Sequence, residues 1–177
     1  MSTNVVERKQ VVKDGYKFRV DVVSDNQSSP WEDEWELIKV RGRRDKAPHH
    51  RKVPNSNFVV DMRKQVRQAK KDGWRPPEEF LQKNLKGRNP TAGTLAMLAV
   101  ESAFKRACKC GDDWEYVGVV VTLLDKDGVS TDIDQSCWGF ESDYEEGLQE
   151  AEKDLIYEIL AGLKGATCIT TVLKDSD

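Results

Sequence analysis

The chain has little of what usually announces a chemistry. Its 177 residues include only two histidines, His49 and His50, side by side. It contains no G-x-x-x-x-G-K-[ST] phosphate loop, no H-E-x-x-H zinc helix and no G-x-S-x-G nucleophile elbow. Cysteine–histidine catalysis needs an imidazole oriented by a third group, and the charged surroundings of His49 and His50 give no sign of one. No stretch approaches the roughly 18 apolar residues that span a bilayer. The first nine residues are polar and lack the apolar core of a secretion signal, so a cytosolic protein is expected. Four cysteines, at 108, 110, 137 and 168, suggest no disulfide framework in that setting. Cys108 and Cys110 form a C-x-C pair, a poor spacing for zinc. They read as reduced structural thiols, and neither a metal site nor a cofactor is expected.

What is present is a polar chain with enough aromatic residues to fold: five Trp, five Phe and four Tyr. The net charge of −3 hides a strong asymmetry. Residues 1–110 carry 24 Lys plus Arg against 14 Asp plus Glu, whereas residues 111–177 carry 4 against 17. Such a split marks either a basic surface for an anionic partner or two halves that face each other.

Hydrophobic period orders the elements. Residues 1–15 read as a flexible tail. Tyr16–Val23 alternates, with Tyr16, Phe18, Val20 and Val22 on one side, as a half-buried strand does. Ser24–Pro30 is a polar loop, and Trp35–Val40 reads as a second strand. Arg41–Pro54 is a basic loop, followed by a short strand over Asn57–Val60. Asp61 caps a helix that runs to about Lys71 and stops at Gly73. Residues 75–90 form a Pro-rich connector with a short helix at Glu78–Leu85. A helix follows over Thr94–Lys109. Trp114–Leu124 is an apolar strand, Asp125–Gly128 a hairpin turn, and Val129–Phe140 the returning strand. Ser142 and Glu145 have the spacing of a capping box for a helix over 143–163. Cys168–Leu173 reads as a last edge strand, and residues 174–177 as a tail. The predicted class is α+β: a single domain over 16–173, its antiparallel sheet covered on one face by two or three helices.

Two quoted stretches carry a resemblance. Trp114-Glu-Tyr-Val-Gly-Val-Val-Val-Thr-Leu-Leu-Asp-Lys-Asp-Gly128 leads into Cys137-Trp-Gly-Phe-Glu-Ser-Asp143. This resembles an uncharacterised family of tailed-bacteriophage and prophage proteins, in which a Val-Gly-Val strand and an acidic turn precede a Trp-Gly-Ile-Glu-Ser-Asp helix start. Arg43-Arg-Asp-Lys-Ala-Pro48 and Lys71-Asp-Gly-Trp74 extend it upstream. Phe140 stands where that pattern has Ile. The resemblance implies a setting, the cytoplasm of an infected bacterial host, and no reaction. It implies an accessory protein that binds a host or phage macromolecule, host takeover or evasion of defence being the processes such a protein serves.

The residues themselves offer four readings. From Lys39 to Arg75 there are 13 Lys plus Arg against 3 acids. Arg41, Arg43, Arg44, Lys46, Arg51, Lys52, Arg63, Lys64, Arg67, Lys70 and Lys71 would neutralise phosphates, with Trp74 placed to stack on a base. The bland alternative is a solvated helix face and a loop. The acidic helix after Ser142, with Glu145, Glu146, Glu150, Glu152, Asp154 and Glu158, would suit a nucleic-acid mimic were the whole chain not so rich in cations. Asp132, Asp134 and Glu141 are candidate metal carboxylates, although carboxylates on an edge strand more often protect the edge. Trp138, Gly139, Glu141, Ser142 and Glu145 read as a structural junction. The expectation is a non-enzymatic binder of a host or phage macromolecule, a protein being the expected partner, with nucleic-acid binding through 41–75 as the alternative and a metal-dependent enzyme as the third reading.

Overall fold

The computed structural model describes residues 4–31, 35–40, 47–85 and 89–174, with side chains up to 165. The fold is α+β, and its strand pairings are antiparallel. The chain divides into two compact units. A split unit combines Met1–Ser28 with Trp114–Asp177, and an inserted unit comprises Ser29–Asp113. No helix among the described residues is long and apolar enough to cross a membrane.

The split unit holds a four-stranded sheet of β1 (Val5–Lys13), β2 (Tyr16–Ser24), β6 (Tyr116–Leu124) and β7 (Ser130–Glu141), in that spatial order. The expected tail thus contains a strand. Its residues Val5–Lys13 are almost all exposed, so they show little of the alternation by which a half-buried strand is recognised. Asp14 and Gly15, both at positive φ, close the β1–β2 hairpin. Helix α4 (Glu145–Lys174) covers one face. Phe18 and Val20 of β2, with Val119, Val121 and Leu123 of β6, meet Leu155, Ile156, Ile159 and Leu160 of α4.

Two expectations fail around α4. The helix runs on to Lys174 where a last edge strand over 168–173 was expected. Ile169, Thr170, Thr171 and Val172 favour strands, but extending an existing helix is far easier than starting a new element. The capping box is also absent. Ser142 Oγ accepts the Glu115 N–H at 2.9 Å, and Glu145 accepts from Gln149 at 3.1 Å. Ser142 therefore ties the end of β7 to the approach of β6.

The two stretches that carry the resemblance interlock. Val117 pairs with Phe140 and Val119 with Cys137, so β7 carries one extra residue opposite Gly118. Gly139 supplies that bulge with φ +87°, a conformation glycine adopts without strain. The Trp138 ring then lies on Gly118: a Cβ there would come within 2.2 Å of Trp138 Cε3. On this face, opposite α4, Asp21 is 6% exposed and takes a two-pronged bond from Arg8, at 2.6 and 3.2 Å. Arg19 Nε lies 3.1 Å from the same carboxylate, off the hydrogen-bond axis, so that contact is electrostatic.

The inserted unit has its own sheet, ordered β3 (Leu37–Lys39), β5 (Phe58–Asp61), β4 (His50–Lys52), with α1 (Met62–Asp72), α2 (Glu78–Leu85) and α3 (Ala92–Ala107). A second sheet forms in addition to the one predicted, because these short strands pair with one another. β4 lies inside the segment expected to be a basic loop. The core joins Trp35, Val53, Val60, Ala69, Ala96, Val100 and Phe104, and Trp31, Trp35 and Phe104 meet at ring-centroid distances of 5.5–5.7 Å.

Candidate functional site

The charge asymmetry follows the units. The inserted unit carries 19 Lys plus Arg and 12 Asp plus Glu, a balance of +7. The split unit carries 9 and 19, a balance of −10. Helix α1 concentrates the positive charge. Asp61 caps it, accepting the Lys64 N–H at 3.1 Å, and Gly73 ends it at φ +73° with its N–H bonded to Ala69. Gln65 and Ala69 are buried, with Met62 and Val66 half-buried on the same stripe against α3. At 100° per residue, Arg63, Lys64, Arg67, Lys70 and Lys71 then share one continuous arc on the opposite side. All five are exposed. Lys64 pairs with Glu36. Among the described residues, Arg63, Arg67, Lys70 and Lys71 have no ion pair.

Lys70 and Lys71 in the last turn suit the helix dipole, but Arg63 in the first turn opposes it, at about 0.3–1 kcal/mol. The acid that answers it is the cap itself, Asp61, just ahead of that turn.

The other predicted contacts divide. Arg41, Arg43, Arg44 and Lys46 lie outside the described residues. Lys52 is exposed on β4. Arg51 is already engaged: it bonds Glu101 at 3.3 Å and lies over the Phe104 ring at 5.7 Å. Trp74 is half-buried, packed against the core of the inserted unit. Trp138, Gly139, Glu141, Ser142 and Glu145 belong to the split unit, where Trp138 and Gly139 form the bulge. Asp132 and Asp134 are exposed on β7, and Glu141 lies seven residues beyond Asp134. That is roughly 20 Å along a strand, so the three carboxylates do not converge.

A different cluster does converge. β4 pairs with β5 so that His50 stands opposite Asp61. The His49 carbonyl accepts the Met62 N–H at 3.1 Å, which draws the preceding residue to the same point. His49 Nε2 lies 3.4 Å from Asp61 Oδ2, and the two imidazoles meet edge to face at 4.8 Å. Ligand atoms of all three residues lie within 4.8 Å of one another. Burial raises the Asp61 pKa, but the Lys64 N–H, His49 and further groups around it outweigh that and hold it below the ordinary range. The cluster opens on a cleft of about 690 Å³, lined by His49, Asp61, Arg63, Val66, Arg67 and Met97 among others.

Among the described residues, Cys108 and Cys137 are free thiols. Burial pushes the Cys108 pKa up, against the pull of Arg51, which makes it a poor nucleophile.

The chain matches no family model, no curated protein and no solved structure.

Asp61 read in the sequence only as a cap. Nothing in the spacing of 49, 50 and 61 signals a cluster, because the β4–β5 register creates it.

Proposed function

We propose that this chain is a non-enzymatic accessory protein of a tailed bacteriophage that binds an anionic macromolecule through the inserted unit, nucleic acid being the favoured class. One observation carries this reading: the exposed arc of Arg63, Arg67, Lys70 and Lys71 on α1, left without acidic partners among the described residues. Residues 41–46 add four more cations next to β4 in the chain. With Trp74 packed partly against the core, phosphate contacts carry the reading, and they imply little sequence preference.

Fluorescence anisotropy with labelled single- and double-stranded oligonucleotides tests it across a salt series. Four phosphate contacts predict a log K against log salt slope of about −3.6 on duplex DNA. The double variant Arg67→Glu/Lys70→Glu lies on the exposed side of α1 and should leave the helix content unchanged. It should weaken binding strongly and flatten the slope by about 2. Absence of binding at low salt, or binding indifferent to the charge reversal, overturns the reading. In that event an acidic protein partner becomes the better reading, recovered by pull-down with and without nuclease.

A further inference from the structure

We propose that His49, His50 and Asp61 form a binding site for a divalent transition metal ion, zinc being the best fit. The inference goes beyond the nucleic-acid reading and stands without it. Two imidazoles and a carboxylate are a donor set suited to zinc, with a position left for water or another ligand. Their ligand atoms already lie within 4.8 Å of one another. A tetrahedral zinc site with bonds of about 2.0–2.1 Å needs ligand atoms roughly 3.3 Å apart. The His49–Asp61 pair, at 3.4 Å, already meets that spacing. The widest gap must close by roughly 1.5 Å, within reach of side-chain rotation in half-exposed rings.

The backbone under the three residues is fixed on both sides. His50 is held by its register opposite Asp61, and His49 by the bond from the Met62 N–H to its carbonyl. Asp61 divides its two oxygens: Oδ1 accepts the capping Lys64 N–H, while Oδ2 faces His49. Capping and ligation are therefore compatible.

Two features work against the ion. The Ala47 N–H donates to His50 Nδ1 at 3.2 Å, and this contact is lost whichever nitrogen ligates, because an accepting Nδ1 leaves the proton on Nε2. Arg63 and Arg67 line the same cleft and repel a cation. Their charge also selects the remaining ligand, favouring an anionic oxygen donor over a neutral one.

The test uses the full chain, titrated with zinc by calorimetry and with cobalt(II) by visible absorption, which reports coordination by the d–d bands. The expected result is one ion per chain with low-micromolar affinity, and a melting midpoint that rises with zinc. His49→Ala, His50→Gln and Asp61→Asn should each weaken binding more than about 10-fold, since loss of even an outer-shell partner costs 10–100-fold. Asp61→Asn keeps a good helix cap, so without metal it should still melt cooperatively, lowered only by the loss of the carboxylate's charge beside His49, which separates lost ligation from lost folding. No heat and no melting shift at a large excess of zinc overturns the proposal. So does uptake unchanged by the two histidine substitutions, which would place the ion elsewhere, for instance at Cys108 and Cys110.

Discussion

Adding one methyl group at Gly118 should destabilise the split unit, and removing the Trp138 ring should cancel the effect. A Cβ at residue 118 would sit 2.2 Å from Trp138 Cε3, 2.5 Å from Cδ2 and 2.7 Å from Cζ3, distances that real contacts do not show. The atoms met belong to the body of an indole rather than to a flexible tip. Overpacking of this kind costs about 1–3 kcal/mol. The ring is 47% exposed and can swing outward, which caps the loss at its packing and its Nε1 donation to Ser136 Oγ. In a Trp138→Ala background the obstruction is gone. Gly118→Ala there should stabilise by about 0.5–1 kcal/mol, the usual gain from replacing a mid-strand glycine. The two substitutions should therefore couple by about 2 kcal/mol. Scanning calorimetry reads this directly, because a unit of this size shifts by roughly 4–8 °C per kcal/mol. A Gly118→Ala protein that melts at or above the wild-type temperature refutes the reasoning. An equal loss in both backgrounds does so too.

Two further outcomes follow from the split unit. Asp21→Ala should cost about 2 kcal/mol in urea unfolding, since Asp21 takes the charged Arg8 bond and neighbours Arg19 while being almost wholly buried; unchanged stability would show the network to be ornamental. Asp25 has its pKa lowered, first by the Ser28 hydroxyl, against desolvation, with help from the Gln27 and Ser28 N–H groups. A depressed carboxylate contributes stability that is fully present above its ordinary pKa of 3.8 and is lost as pH falls through the folded value. Stability measured downward from pH 5 should thus fall more steeply for the wild type than for Asp25→Asn, and parallel curves would contradict the assignment.

Legibility in the sequence tracked how local each determinant was. The α1 helix was readable at both ends, from Asp61 and Gly73, and α2 was placed at Glu78–Leu85, as observed. The β6–turn–β7 hairpin announced itself through its valine run and Asp127-Gly128. β1 stayed hidden because an exposed edge strand has no buried side to create alternation, although Asp14-Gly15 was a turn signal in plain view. The end of α4 misled because β-branched residues favour strands in isolation. Ser142 fitted a cap by spacing, yet its hydroxyl was recruited by Glu115, 27 residues earlier. Of the candidate site, the cationic arc was legible from period alone. The histidine–aspartate cluster was not, since pairing between two short strands, rather than a motif, brings it together.

The position of the insertion has a consequence for how the chain folds. Phe18 pairs with Leu123, and the Asp25 N–H bonds the Tyr116 carbonyl at 2.7 Å, so the 85 residues of Ser29–Asp113 leave and re-enter between two neighbouring strands. While those residues are unstructured, closing β2 on β6 means closing a loop of that length. Once they have folded with their ends tied together, the same pairing resembles closure of a short turn. Loop-closure entropy changes by about 0.6 kcal/mol per doubling of length, so the difference is roughly 2 kcal/mol. The inserted unit is one continuous stretch of chain, so its folding first would ease the pairing of a sheet whose halves are far apart in sequence.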